Sequence, residues 1–372
     1  MYRLLIFTFF ASALLLQACQ PAPVQPQIEA STVDNPMIET STAIEWRLVT
    51  SWPKNLPGLG MAPENFARLV NNMSGGRLNI TVYGAGELMP AFSVFDGVSN
   101  GKVEMGHSAA YYWKGKIPAA QFFSSIPFGL NAQQMNAWLY HGGGMALWQE
   151  AYQPFGVIPM AGGNTGMQMG GWFNRQINQV DDFKGLKMRL PGSGGEVLKR
   201  LGGIPVREMA GRELYGALQT GSIDAAEWVG PYNDLPLGLS KVAKYYYYPG
   251  WHEPGSTMEF IINQQAFNLL PQDLQAIVTV AARAVNQDML DDYTQGHIIS
   301  METLINQHQV ELRPFPQEVL KALLDARDEV LQQEAKKDPM FAKVMKAYLA
   351  NERQVKRFFY YTEDAMVFEQ PH

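Results

Sequence analysis

Apolar and polar positions along this chain follow two alternating periods, one of about two residues and one of about 3.6. Alternation, the mark of a half-buried strand, runs through 46–50 and 78–83, and a further strand is expected over 103–108. Between the first two, 63–73 sets Phe66, Leu69, Val70 and Met73 on one helical face. A short helix is predicted over 91–100. Helices over 133–141 and 145–152 are parted by the glycine run 142–144. Buried strands follow at 157–161 and 186–190, the latter leading into helices over 194–201 and 213–219. A strand over 224–229 runs into Gly230-Pro231, and 245–248 and 258–263 read as strands. A long helix spans 271–307, with Pro271 at a permitted first-turn position. Strand 310–313 and helices 316–335 and 339–349 follow, the last with a continuation to 359. This order predicts an α/β fold of two lobes with a ligand cleft between them and long C-terminal helices.

The chain start departs from that pattern. Residues 4–16 are apolar but fall short of the roughly 20 residues needed to cross a bilayer. Leu16-Gln17-Ala18-Cys19 comes next, with a small residue before the chain's single cysteine. We read 1–18 as a lipoprotein signal peptide and Cys19 as the lipid-modified residue, against an ordinary signal peptide with an incidental cysteine. The rest of 19–44 is rich in Pro, Gln, Ser, Thr and Ala, a flexible tether with too little apolar surface to fold. The expected location is the periplasm, anchored to a membrane by the lipid alone.

Length and charge narrow the classes further. A body of roughly 330 residues exceeds one typical core and favours two lobes. The expected division is 45–163 plus about 256–290 for lobe I, and 164–255 plus about 291–337 for lobe II. A C-terminal helical segment then covers 338–372. A net charge of -6, with no basic aromatic-laced patch, argues against nucleic acid.

Candidate chemistry gathers in 163–253. Arg189 lies mid-strand with Lys187 on the same face. It is either one of two solvated cations or a planar fork aimed at a carboxylate in a cleft. Glu227 follows two alanines and precedes Trp228 and Gly-Pro, so it reads as a buried carboxylate that needs a partner. Glu253 sits in a turn and reads equally as a solvated loop acid. Gln168, between Met167 and Met169, reads equally as a core amide. Asn164 shapes a turn or meets a ligand. Enzyme motifs fail on inspection. Gly106-His107-Ser108-Ala109-Ala110 lacks the last glycine of a nucleophile elbow. His252-Glu253-Pro254 is no helical zinc motif, and the six histidines are scattered.

Five stretches carry a resemblance. They are Trp-Arg-Leu-Val-Thr-Ser-Trp-Pro-Lys (46–54), Gly-Gly-Gly-Met-Ala-Leu-Trp (142–148), Gly-Asn-Thr-Gly-Met-Gln-Met-Gly-Gly-Trp-Phe (163–173), Ala-Leu-Gln-Thr-Gly-Ser-Ile-Asp-Ala-Ala-Glu (217–227) and Lys-Tyr-Tyr-Tyr-Tyr-Pro-Gly-Trp-His-Glu-Pro-Gly (244–255). Over roughly 45–350 the chain resembles the solute-binding subunits of TRAP (tripartite ATP-independent periplasmic) transporters. Within that family it is similar to the branch that binds 2-oxo acids or related monocarboxylates with a cation. The resemblance implies a two-lobed periplasmic-binding-protein-like fold and no catalysis. It implies capture of a small acid such as pyruvate or lactate and delivery to the small and large membrane subunits. It also implies a homodimer through the C-terminal helices.

Site roles follow by the same resemblance. Arg189 clamps the ligand carboxylate, and Gln168 meets both ligand and cation. Glu227 and Glu253 give side-chain oxygens to the cation and Trp228 its backbone carbonyl. Of the aromatics at 111–113, Tyr112 closes over the ligand; Asn164 is the weaker candidate. An all-oxygen ligand set suits a hard cation, Ca2+ or Na+. Two glutamates and a monoanionic ligand bring three negative charges against one positive on Arg189. Calcium balances the sum and sodium leaves one charge over, which a dry cleft disfavours. Replacing Arg189 with Met is expected to abolish binding while the fold survives. Two other readings stay on the page: a metal-dependent enzyme acting on 2-oxo acids, and a sensory protein presenting its ligand to a receptor.

Overall fold

A computed structural model describes residues 43–366. The signal segment 1–18, Cys19, nearly all of the 19–44 tether and the tail after 366 lie outside the described residues.

The described chain begins with a β-α-β unit. Strand β1 (Ile44–Thr50) is followed by helix α1 (Met61–Ser74) and strand β2 (Leu78–Tyr83), which pairs parallel with β1. Helix α1 buries Phe66, Ala67 and Val70 and stops at Gly75, whose φ of 62 is a left-handed turn that glycine adopts without strain. Helix α2 (Val94–Ser99) leads to β3 (Met105–Ala109), parallel to β1 on its other side. Helix α3 (Ala132–His141) starts on a reciprocal cap, Asn131 with Gln134, and α4 (Gly144–Tyr152) feeds β4 (Val157–Asn164).

The next stretch builds a second sheet: β5 (Gly171–Phe173), β6 (Lys187–Arg189), α5 (Gly192–Arg200), β7 (Ile204–Val206), α6 (Gly211–Thr220), β8 (Ala225–Ala226), the single turn α7 (Pro231–Asp234) and β9 (Tyr245–Tyr248). Strand β10 (Thr257–Asn263) then returns to the first sheet. After the short α8 (Gln264–Asn268) comes α9 (Gln272–Asn306), followed by β11 (Glu311–Pro314), α10 (Gln317–Ala335) and α11 (Pro339–Tyr361).

Two sheets result. One has five strands in the order β2-β1-β3-β10-β4, the other six in the order β11-β9-β5-β8-β6-β7. Both mix parallel and antiparallel pairs, and helices cover them, so the fold is a two-lobed α/β one. The chain leaves the first sheet after Asn164, returns at Thr257, and leaves again along α9, which packs on α1, β4 and α7.

Several expectations needed correction. The strand expected over 224–229 is only Ala225–Ala226. The backbone NH of Glu227 still reaches the Arg189 carbonyl at 3.2 Å, but the chain then turns into α7, which takes Glu227 and Trp228 out of the ladder. Lys187 is exposed although Arg189, two residues on in the same strand, is buried, so the two cations do not share an environment. Strands β5 and β7 and the turn α7 had no periodic signal, being three or four residues long.

Candidate functional site

Arg189 and Glu227 come from the ends of neighbouring parallel strands. Arg189 pairs across to Ala226 in the ladder, so Glu227 stands one residue beyond it. Both side chains are buried, to 2% and 1% exposure, and they form an ion pair. Arg189 Nη1 also donates to the Glu227 backbone carbonyl at 3.0 Å. Its guanidinium lies 4.9 Å from the centre of the Trp228 ring, within cation-π range. Burial, the largest single influence, works against the charge on Arg189, but Glu227, Tyr112, Tyr111 and Glu253 together outweigh it and the Arg189 pKa rises.

Two of the three segments that cross between sheets supply the other polar groups. Gln168 donates from its backbone to the Glu253 carbonyl at 3.2 Å and from Nε2 to Glu253 Oε2 at 2.7 Å. A second contact from Nε2 reaches Thr165 Oγ1 at 3.2 Å. Gly250 allows this approach, since a Cβ there would sit 2.1 Å from the Gln168 carbonyl oxygen. Glu253 is no solvated loop acid. It is 4% exposed, and burial, helped by the nearby Glu227 charge, pushes its carboxyl up to about 8.

His252 completes the group. Its Nε2 is 3.3 Å from Glu227 Oε2, and ligand atoms of Glu227, His252 and Glu253 all lie within 4.8 Å of one another. Several polar atoms here are buried with no hydrogen-bond partner among the described residues: Gln168 Oε1, Glu227 Oε2, both nitrogens of His252 and Trp228 Nε1. Buried polar atoms are otherwise almost always satisfied. Glu227 Oε2 beside a second carboxylate, with an amide bonded to that carboxylate and carrying a free oxygen of its own, is what a cation site presents. The donor set of oxygens with one nitrogen therefore fits a small cation.

The first sheet contributes the opposite wall. Tyr111 and Tyr112 follow β3, and Trp52 follows β1. Trp52 lies 6.0 Å from Tyr112 and 6.4 Å from Trp228 between ring centres. These rings, with Gln168 and Arg189, enclose a cavity of about 10 Å³, room for one water-sized group. Burial raises the Tyr112 hydroxyl to about 12 although Arg189 pulls the other way, so it is a neutral donor. Trp113 points elsewhere, into the first lobe, where its indole donates to Glu259.

Of the candidates, Tyr112, Gln168, Arg189 and Trp228 line the cavity, and Glu227, Glu253 and Asn164 do not. Asn164 donates to Thr257 Oγ1 at 3.0 Å and accepts from Gly166 N at 2.9 Å, so its polar atoms are engaged within the turn. Trp172 stacks on Tyr246 at 3.9 Å and donates to Asp234, a core arrangement. His107 is held between Trp52 Nε1 and the Gly162 carbonyl, each at 3.0 Å, a structural role. The sequence reading missed His252, whose adjacency to Glu253 was visible but whose facing of Glu227 was not. It also missed a bridge at the cleft mouth. Lys114, after β3, donates at 2.9 Å both to the Gly192 carbonyl and to Glu196 Oε1 on α5. Glu196 also holds Arg207 at 2.8 Å. Nothing local in the sequence marks that pair.

Known proteins resemble this chain in sequence and fold. A monocarboxylate 2-oxoacid-binding periplasmic protein of Nostoc sp. is 46% identical over 312 residues, which cover 84% of this chain and 85% of that protein. A TRAP periplasmic solute-binding protein of Colwellia psychrerythraea, solved with calcium and pyruvate, is 44% identical with a TM-score of 0.85 over 87% of this chain and 98% of that one. One from Pseudoalteromonas atlantica, solved with sodium and pyruvate, is also 44% identical, with a TM-score of 0.86 over 88% of this chain and 100% of that one. Residues 48–338 match the family described as bacterial extracellular solute-binding protein, family 7. The chain belongs to that family, the extracytoplasmic solute-binding proteins of TRAP transporters, which serve transport and not catalysis.

Proposed function

We propose that this protein captures a small 2-oxo monocarboxylate, pyruvate in the first instance, together with a cation, Ca2+ or Na+, and passes it to the membrane subunits of a TRAP transporter. The observation that carries the proposal is the buried set of Arg189, Gln168, Glu227 and Glu253 with its unpartnered oxygens. The relatives solved with pyruvate and either cation support it. Arg189 exchanges Glu227 for the ligand carboxylate, and Gln168 turns its free oxygen to the cation. Glu227 and Glu253 bring side-chain oxygens and Trp228 its carbonyl. A bound cation supplies the positive charge that lets both glutamates stay ionised in a dry cleft. Tyr112 closes over the ligand from the first sheet. Asn164 serves as the turn former that sets Gln168.

Lobe I would comprise 45–163 with about 256–290, and lobe II 164–255 with about 291–337, in keeping with which strands share a sheet. Ligand bridging the lobes favours the closed state, because closure completes contacts the open state lacks. We further propose lipid attachment at Cys19, and pairing with a second copy through the 338–372 segment. Phe358, Tyr360 and Tyr361 on α11 support the pairing, being 63%, 66% and 66% exposed. Calorimetry of the purified, metal-stripped protein with pyruvate, repeated with sodium and with calcium, tests the main reading. Binding that requires a cation is the expected result. Binding indifferent to both would remove Glu227 and Glu253 from the site.

A further inference from the structure

His252 has no role in the proposal above, yet its position is the least explained of any buried polar group in the cleft. It is 2% exposed, and neither ring nitrogen has a hydrogen-bond partner among the described residues. A buried imidazole without partners is costly, and native structures rarely leave one. The ring is not loosely held. Trp251 meets it edge-on at 5.5 Å, and Gly194 leaves room for it, since a Cβ there would lie 3.1 Å from His252 Cβ. This packing aims Nε2 at Glu227 Oε2, 3.3 Å away, in poor alignment for a hydrogen bond. Two donors at adjacent corners of one metal shell, with arms of about 2.1 Å to nitrogen and about 2.4 Å to oxygen, stand about 3.2 Å apart. The spacing therefore matches shared ligation. Gln168 Oε1, also unpartnered, adds an independent acceptor.

We propose that His252 is a nitrogen ligand to the cation of this cleft, so that the site accepts borderline divalent ions such as Co2+, Ni2+ or Zn2+ beside the hard ions. The inference rests on the metal-bridged reading given above. Its chemistry is separate, because Ca2+ and Na+ gain little from an imidazole while Co2+, Ni2+ and Zn2+ gain much. A ligand set of oxygens alone ranks these ions differently from one that includes a nitrogen.

The test is a titration of the purified, metal-stripped protein with Co2+ and with Ca2+ at saturating pyruvate. Calorimetry gives the affinities and the visible bands of Co2+ report its coordination. The same titrations on H252Q complete it. The wild type should bind Co2+ with a band that H252Q loses, together with at least about a thirtyfold loss of Co2+ affinity. Calcium affinity in H252Q should fall by less than the Co2+ affinity does, and an unchanged urea midpoint of the metal-stripped protein shows that the variant is folded. Copper in place of cobalt should show nitrogen coupling in the wild-type EPR spectrum. Co2+ affinity unchanged in H252Q, or copper bound without that nitrogen coupling, overturns the proposal. So does a wild type that binds pyruvate with Ca2+ but takes no Co2+. Should pyruvate fail to bind with any cation, the metal-bridged reading itself falls.

Discussion

Removing Arg189 should harm the protein in two separable ways. The sequence alone suggested that Arg189→Met would abolish binding and spare the fold. The structure adds a cost to the fold. Glu227 is 1% exposed, and Arg189 is its paired cation. Breaking a buried pair from one side leaves an uncompensated charge and costs about 3–5 kcal/mol. Glu253 nearby adds no positive charge to replace it. At about 2–4 °C per kcal/mol for a chain somewhat smaller than this one, the midpoint of the metal-stripped protein should fall by roughly 6–20 °C. Adding Glu227→Gln removes the stranded charge, so the double variant should recover about 2 kcal/mol or more over Arg189→Met. Urea unfolding followed by tryptophan fluorescence, on wild type, both single variants and the double, closes the cycle. Both Arg189 variants should lack pyruvate binding. A double variant no more stable than Arg189→Met would refute the view that the pair holds Glu227 in place.

Other residues give sharper, smaller tests. Lys114→Met removes the bridge to Gly192 and Glu196 at the cleft mouth, a half-exposed charged contact worth about 1 kcal/mol. Pyruvate release in stopped flow should quicken about fivefold, and an unchanged rate would show that the bridge does not hold the lobes together. Gly250→Ala pushes a methyl into the Gln168 backbone. It should cost about 1–3 kcal/mol of stability and at least about tenfold in pyruvate affinity, so wild-type affinity would separate Gln168 from the site. Glu259 is buried against Tyr152, whose hydroxyl donates at 2.8 Å, and burial pushes its carboxyl from 4.5 up to about 8. Below pH 4.5 folded and unfolded chains both hold the proton, so its contribution is fully present there. As pH rises from 4.5 towards 8 only the folded chain keeps the proton, and stability is lost by up to one proton's worth per unit. Glu259→Gln should remove that component, so the urea midpoint should fall less between pH 5 and 8 than in wild type. Equal slopes would show that Glu259 does not titrate as argued.

What the sequence revealed and what it hid follow from the range of the interactions. Long periodic elements were legible. Strand β2 and the helices α9 and α10 fell within a residue of expectation, because each buries a face whose spacing is local. Strands β5 and β7 were invisible, since three residues carry no period and their pairing comes from neighbours far along the chain. The site divides in the same way. Glu227 announced itself by apolar flanks and a following Gly-Pro. Arg189 did not, because a charged residue in a strand reads alike whether it faces water or a cleft. Only the placement of β6 beside β8 decides between them. Glu253 and Gln168 each fitted two environments, and the 2.7 Å bond between their side chains is what makes them one unit.

That unit also explains why binding and closure belong together. Arg189, Glu227 and Trp228 stand at strand ends of the second sheet, and Trp52, Tyr111 and Tyr112 follow strands of the first. Gln168, His252 and Glu253 lie on neither sheet but on two of the three segments that carry the chain between them, the third running through α9. A hinge motion must pass through those two segments, between Asn164 and Gly171 and between Tyr248 and Thr257, and through the α9 connection to β11. Any ligand that fixes the free oxygen of Gln168 and the carboxylate of Glu253 fixes the hinge as well. Ordering the hinge and completing the cleft are then one event, so a cation and an acid that bind together should slow lobe opening more than either does alone. The Lys114 bridge lies at the far mouth and acts only after the lobes meet. Its loss should therefore speed release and leave the rate of capture unchanged. Loss of Gln168 should slow capture as well, because the hinge would no longer be set by the ligand. A Gln168→Ala variant with normal capture and fast release would place Gln168 with the latch and would break this link between hinge and site.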